Sequence, residues 1–127
     1  MKVLVAYSWD DDISQRRYAR MKEIASRAGY DFEQCFAVPQ PRIVPTPDLV
    51  NKMISSAVDQ FHPDVLLIHT GAAYHRAPDA FSEAVRQIHR KYPDLRLGFE
   101  HQPEVQLADL SVFERTEEMA SIERTFF

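Results

Sequence analysis

Residues 2–12 read KVLVAYSWDDD and join an apolar run to an acidic segment. Residues 3–6 show no alternation of apolar and polar side chains, which is typical of a strand covered on both faces in a parallel sheet. Tyr7, Ser8, Trp9 and three aspartates follow where that strand should end. Ligands of open α/β sheets bind beyond the carboxyl ends of the strands. The stretch therefore predicts a central strand and one edge of a binding site.

Helices are predicted between the strands from apolar residues at helical spacing. The first begins at Asp12, which we expect to cap it together with Gln15, and it ends at Gly29, a favourable residue for a left-handed C-terminal cap. The remaining predicted helices begin at Pro47 after the cap residue Thr46, at Pro78, and after Thr116.

Further strands are predicted at residues 31–38, 65–69, 95–99 and 105–110. Alternating strands and helices are typical of a parallel sheet with helices on both faces. We therefore predict one domain, residues 1–127, with a three-layer α/β/α flavodoxin-like architecture. Its five-stranded parallel sheet has the order 2-1-3-4-5, with the switch point between strands one and three.

Composition narrows the classes of partner and compartment. The net charge is −4 with both signs interspersed, so no basic surface suggests nucleic acid. Cys35 is the single cysteine, which excludes an internal disulfide and fits a reducing compartment. No leader or long apolar run is present, so we expect a cytoplasmic protein without a membrane partner.

Polar residues at the predicted strand ends are the candidates for chemistry, and each also has an ordinary structural interpretation. The three aspartates at 10–12 could bind a cation, but a helix cap and first-turn acids explain them better. Three histidines and a glutamate could bind a transition metal, yet their spacing matches no metal motif, so we predict none: His69, His75, His101 and Glu100. Ser8 lacks the GxSxG context of a nucleophilic serine, so that role is not predicted.

Three further features belong to the predicted site: a proline-rich segment, two arginines and a glutamate. Residues 39–47, PQPRIVPTP, contain four prolines and predict a stiff extended loop at the same sheet edge as Trp9. Arg42 and Arg76 are the natural phosphate binders, although such arginines are often simply solvated. Glu83 lies opposite the apolar stripe of its helix, so packing does not require it, and a solvated helix glutamate is the ordinary interpretation.

The opening stretch resembles the first box of TIR (Toll/interleukin-1 receptor) domains, especially the bacterial members. That box is a strand ending in a tyrosine and a small polar residue, followed by an acidic loop, as in Tyr7, Ser8 and Trp9 with the aspartates here. The family's BB loop falls where residues 39–47 stand. Tyr74 and Glu83 have the family's spacing between a loop tyrosine and a helix glutamate, and Asp109 stands near the end of the fifth predicted strand.

The resemblance implies an NAD-consuming nucleosidase with Glu83 as the catalytic carboxylate, since glycosidic cleavage through an oxocarbenium-like state needs a carboxylate near the anomeric carbon. Trp9 or Tyr74 would stack on a base or on nicotinamide. The other substrate-binding residues would be Ser8, Asp11, Arg42, Thr70 and Arg76. NAD would be a substrate, no cofactor is implied, and assembly into a homo-oligomer is expected.

Two departures from the family keep other functions open. Asp79 and Ala80 stand where the family has a Trp-Cys pair, and the BB-loop glycine is replaced by prolines. One alternative is therefore a non-catalytic signalling module. A second is a receiver-like domain in which His69 occupies the position of the phosphoryl-accepting aspartate. A third is a nucleoside deoxyribosyltransferase-like enzyme, which shares the architecture and a glutamate chemistry.

Overall fold

The structure is a computed structural model that describes residues 1–100 and 111–127. Four strands are present in these residues: β1 (Lys2–Tyr7), β2 (Asp31–Phe36), β3 (Val65–Ile68) and β4 (Arg96–Phe99). The helices of the same residues are α1 (Asp12–Ala28), α2 (Pro47–Phe61), α3 (Ala72–Arg76), α4 (Pro78–Lys91) and α5 (Glu117–Phe126).

The four described strands form one sheet in which every neighbouring pair is parallel, and their order is β2-β1-β3-β4. Val5 of β1 pairs with Gln34 on one side and with Leu67 on the other, so β1 lies inside the sheet. The predicted fifth strand, residues 105–110, and Asp109 lie outside the described residues. The five-stranded flavodoxin-like order therefore stays a prediction.

Helices cover both faces of the sheet, and successive residues of β1 pack on opposite sides. Val3 and Val5 belong to a cluster with residues of α1 and α5, whereas Leu4 and Ala6 belong to a cluster with residues of α2 and α4. Because both faces of β1 are buried, neither face requires polar residues, and apolar residues can follow one another without alternation. This explains the continuous apolar run at the start of the chain.

The helix ends show which sequence signals were correct. Thr46 caps α2 through its side chain and Pro47 opens the helix, as predicted. Gly29 closes α1 with φ of 86°, the left-handed conformation that glycine adopts without steric cost. The predicted cap of α1 was wrong by one residue, because Asp11, not Asp12, accepts the hydrogen bond from the Ser14 backbone nitrogen.

Two differences from the predicted elements affect the site. Helix α3 lies within the segment that was predicted to be a loop between the third strand and Pro78. Strand β3 ends at Ile68, so His69 is the first residue beyond the strand. Among the described residues, no helix combines the length and the apolar character that crossing a bilayer requires.

Candidate functional site

The carboxyl ends of β1, β3 and β4 place three polar side chains along one edge of the sheet. Ser8 follows β1, His69 follows β3 and Glu100 follows β4. The parallel ladder continues past the strands, since the His69 backbone nitrogen donates to the Ala6 carbonyl and the Glu100 nitrogen donates to the Ile68 carbonyl. The three side chains are therefore held in register by backbone hydrogen bonds rather than by a flexible loop.

Above this edge, Arg76 connects three segments that are distant in sequence. Its guanidinium lies over the Trp9 ring, 5.2 Å from the ring centroid, and it donates a hydrogen bond to the Pro41 carbonyl. We refer to Trp9, Arg76 and Pro41 as the Trp9–Arg76 shelf. The shelf brings the loop after β1, the proline-rich segment and the end of α3 together.

A small cavity of about 150 Å³ lies beside the shelf. Its walls include Trp9, Ser8 and Tyr7 from the end of β1, and His69 and Gly71 from the segment after β3. Arg17 and Ser14 of α1 close another side. Trp9 thus belongs both to the shelf and to the cavity wall.

His69 and Glu100 lie side by side and form the acid–base pair of the site. His69 Nε2 lies 2.9 Å from Glu100 Oε2, and both side chains are mostly buried. The other imidazole nitrogen, Nδ1, is buried and has no hydrogen-bond partner in the described part of the chain. Burial lowers the pKa of His69, and the charge of Glu100 offsets part of that effect. The imidazole is therefore favoured in its neutral form, with Nδ1 able to accept a proton.

Ser8 and His69 approach each other around Gly71. A Cβ added to Gly71 would lie 2.9 Å from His69 Nδ1 and 3.0 Å from Ser8 Oγ, so any larger residue would displace one of them. The Ser8 hydroxyl oxygen accepts a hydrogen bond from the Ala73 backbone nitrogen at 3.0 Å. The glycine is thus needed for close approach, and Ser8 is fixed to the first turn of α3.

Arg17 supplies the positive charge that lines the cavity. Its guanidinium lies over the Tyr7 ring, 4.6 Å from the centroid, and the Tyr7 ring packs 5.3 Å from the His69 ring. Burial raises the pKa of Tyr7, which is therefore neutral at physiological pH. The cavity lining accordingly combines the Arg17 cation, the Asp11 carboxylate, a neutral imidazole and a serine hydroxyl.

Three of the predicted binding residues make structural contacts within the fold, and their predicted binding roles stay predictions. The Asp11 carboxylate accepts from the backbone nitrogen and the hydroxyl of Ser14, at 2.7 and 2.8 Å, and so caps α1. Thr70 is buried and its hydroxyl donates to the Glu100 carbonyl. Tyr74 is 3% exposed and packs edge-on against Phe81, so its ring is a core element and not an open stacking surface. Arg42 is exposed within the proline-rich segment.

Glu83 lies on α4 and its carboxylate is engaged by arginines of its own helix. Arg86 donates to Glu83 Oε2 at 2.9 Å, and an Arg90 nitrogen lies 3.5 Å from Glu83 Oε1. The hydrogen bond from Arg86 is the main reason that the pKa of Glu83 is lowered. Glu83 is not part of the cavity wall. Its predicted catalytic role stays a prediction.

From the sequence alone, Glu100 and His69 are weak metal candidates, His69 also occupies the acceptor position of the receiver-like alternative, and Arg17 is not a candidate. The signal for the first two was their position directly after apolar strands. Arg17 gave no such signal, because it lies on a helix and reaches the site only through the packing of α1. His101 lies outside the described residues, and among those described no three His, Cys, Asp or Glu side chains are grouped to hold a metal ion.

Comparison with known proteins adds no family to this picture. No family model matches the sequence, and no significant match to a curated protein was found.

Proposed function

We propose that the protein binds a nucleotide at the Trp9–Arg76 shelf and cleaves the glycosidic bond between its base and ribose, with NAD as the first substrate to test. The observation that supports this proposal is the placement of Arg76 between Trp9 and Pro41. An indole face next to a guanidinium suits a ligand that carries both an aromatic base and phosphates. The resemblance to TIR domains points to the same class of ligand.

The shelf offers separate contacts to the two halves of such a ligand. Trp9 is partly exposed, which leaves part of its side chain accessible to a base or nicotinamide. Arg76 is exposed, and Arg42 lies one residue beyond Pro41 in the segment that Arg76 contacts. Both guanidiniums can reach towards phosphate oxygens, for which bidentate arginine contacts are well suited.

Cleavage requires a carboxylate near the anomeric carbon, and the two candidates are Glu83 on α4 and Glu100 at the end of β4. Glu83 is held in its ionised form by Arg86 and Arg90. Glu100 lies beside His69 at the end of β4. A carboxylate in its charged form stabilises the oxocarbenium-like state, and nicotinamide departs as a neutral molecule without needing an acid.

The test is nicotinamide release from NAD, measured over a range of protein concentrations because the resemblance implies activity in an assembly. We expect Glu83→Gln to reduce release by at least 100-fold, on the scale of losing a catalytic carboxylate. The matched control is Glu23→Gln, which removes a helix glutamate that pairs with Arg27 on the same helix. Loss in Glu100→Gln alone would transfer the carboxylate role to Glu100, and no release at any concentration would exclude cleavage of NAD.

A second candidate function is binding without turnover, as in a signalling module. The observation that favours it is the pairing of the Glu83 carboxylate with two arginines of its own helix, away from the cavity wall. Trp9 is the single tryptophan of the chain, so its fluorescence reports on the shelf directly. A saturable change with NAD but no nicotinamide release would establish the binding module.

The same fluorescence titration with NAD tests whether Arg76 contributes to nucleotide binding. We expect Arg76→Ala to weaken nucleotide binding by about tenfold or more, because it removes both the cation over Trp9 and a phosphate contact. Arg27→Ala, which removes an exposed arginine from α1, is the control. Equal affinities for the two variants would contradict the assignment of the shelf as the nucleotide site.

A further inference from the structure

Ser8, His69 and Glu100 lie in one row across the ends of β1, β3 and β4, and the proposed glycosidic cleavage gives Ser8 and His69 no part in the reaction. We propose that Ser8 is a nucleophile, with His69 as its general base and Glu100 holding the imidazole, and that the cavity beside Trp9 hydrolyses esters of short carboxylic acids. This activity goes beyond the proposed function and does not depend on it.

The His69–Glu100 contact sets the direction of proton transfer. A carboxylate 2.9 Å from Nε2 favours the tautomer with the proton on that nitrogen. Nδ1 is then the basic nitrogen, and it is the one that is buried without a partner in the described residues.

The position of Gly71 shows that Ser8 and His69 share one small space. Ser8 Oγ and His69 Nδ1 are each about one hydrogen-bond length from the point where a Gly71 Cβ would stand. They form no direct hydrogen bond in this structure, and contacts between nucleophile and base are commonly longer before substrate binds. The backbone nitrogen of Ala73 already donates to Ser8 Oγ, which leaves the hydroxyl proton available for donation to the imidazole.

The size and charge of the cavity define the substrate class. A volume of about 150 Å³ accommodates a short acyl group. Arg17 lines the same cavity and is the cation available to the negative charge that develops on a carbonyl oxygen. Trp9 borders the cavity, so the alcohol portion of the ester can extend towards the shelf.

The reaction balances with water as the only co-reactant. Ser8 Oγ attacks the carbonyl carbon while its proton passes to His69 Nδ1, and the ester C–O bond then breaks as that proton moves to the departing alcohol. Water next attacks the acyl-serine, gives its proton to His69 and releases the carboxylic acid, which regenerates the Ser8 hydroxyl. Glu100 stabilises the imidazolium in both steps and does not itself take the proton.

The direct test is reaction of the purified chain with a fluorophosphonate, which labels serines activated by a neighbouring base. We expect a single adduct on Ser8, located by peptide mass spectrometry, that is absent in Ser8→Ala. His69→Gln should slow labelling by at least 100-fold and Glu100→Gln by at least tenfold, in line with losing a general base and its orienting partner. Ser26→Ala, at an exposed position of α1, is the control and should label at the original rate.

A second measurement keeps the test independent of whether the His69 variant folds well. Ser8→Cys preserves the size of the side chain, and the only other cysteine, Cys35, is buried with its pKa raised to about 12. We expect the introduced thiol to react with iodoacetamide at pH 7 at least tenfold faster than a free cysteine in solution, because His69 favours the thiolate. Alkylation at or below the free-cysteine rate contradicts a basic imidazole at this position.

Absence of labelling on the folded wild-type chain, labelling at another serine, or labelling that His69→Gln leaves unchanged would overturn the proposal. Ser8 labelling with no nicotinamide release would retain this inference and remove the proposed cleavage of NAD. Nicotinamide release without Ser8 labelling would do the reverse. The two proposals therefore fail separately.

Discussion

His69 is subject to two opposing influences at the end of β3. Burial disfavours the charged imidazolium, whereas Glu100 at 2.9 Å favours it, and burial prevails so that the pKa lies below its ordinary value. Arg17 acts in the same direction as burial. The residue is thus a neutral acceptor near pH 7, which is the form that either ligand binding or base catalysis at this edge would use.

We predict that Glu100→Gln lowers the pKa of His69 further, because the substitution removes the negative charge that stabilises the imidazolium. The measurement is an NMR titration of the His69 ring protons in the wild type and the variant, with Glu23→Gln as a distant control. A pKa for His69 that is at or above about 6.5 in the wild type, or that is unchanged by the substitution, would contradict this assignment.

The same shift has a consequence for stability. Since the folded pKa lies below the unfolded one, the unfolded chain binds the proton first as the pH falls. The contribution of His69 is therefore complete above about pH 6.5 and is lost as the pH drops through the folded value. His69→Gln should flatten the pH dependence of the free energy of unfolding in this range.

At the scale of elements, Arg96 ties strand β4 to the segment that leads into α5. Its Nε and Nη2 atoms donate to the two carboxylate oxygens of Glu114 at 2.9 and 2.5 Å, a bidentate arrangement. Thr116, which caps α5, also donates to Glu114. These hydrogen bonds, with Arg96 first, lower the pKa of Glu114 to about 2.

Glu114→Gln should therefore reduce the free energy of unfolding by about 1–3 kcal/mol at pH 7, the typical range for hydrogen bonds to charged groups. The pKa of Glu114 is lower in the folded chain than in the unfolded chain. Its contribution to the free energy of unfolding is therefore complete above the unfolded pKa and disappears as the pH falls through about 2. Urea unfolding from pH 7 to pH 2 would measure the difference between the wild type and the variant.

The matched control is Glu117→Gln on the first turn of α5. Glu117 is 89% exposed and lies 3.4 Å from Arg124, so its removal should cost no more than about 0.5 kcal/mol. If both variants lose the same stability, the bidentate pair does not hold the segment before α5 to β4.

At the scale of the whole molecule, the order of the strands in the sheet determines which backbone amides are best protected from exchange with solvent. Strands β1 and β3 each have a partner strand on both sides, while β2 has one partner among the described residues. Helices pack on both faces of these inner strands. The centre of the sheet should thus open only when the molecule unfolds globally.

Native-state hydrogen exchange tests this expectation. Amides of β1 and β3 should exchange at the rate of global unfolding, and those of β2 at least tenfold faster, because an edge strand can fray without disrupting the core. Equal protection of β2 and β1 would indicate that the outer edge of β2 is covered in solution, for example by a second copy of the chain.

The sequence by itself determined the parallel α/β character of this protein, most of its helix boundaries and the position of β1 inside the sheet. These follow from local rules: unbroken apolar runs, apolar residues at helical spacing, prolines at first helical positions and a glycine at the end of α1. The cap of α1 was misplaced by one residue because adjacent aspartates offer the same chemistry, and only the backbone conformation distinguishes Asp11 from Asp12.

Only the tertiary structure decided which polar side chains meet. The resemblance to TIR domains implies that Trp9 or Tyr74 stacks on a base, whereas in the structure Tyr74 lies on a short helix and packs in the core against Phe81. Arg17, His69 and Glu100 come from segments far apart in sequence, and no spacing rule connects them. Their proximity depends on the register of parallel strands and on the packing of α1, which are long-range properties that residue order alone does not reveal.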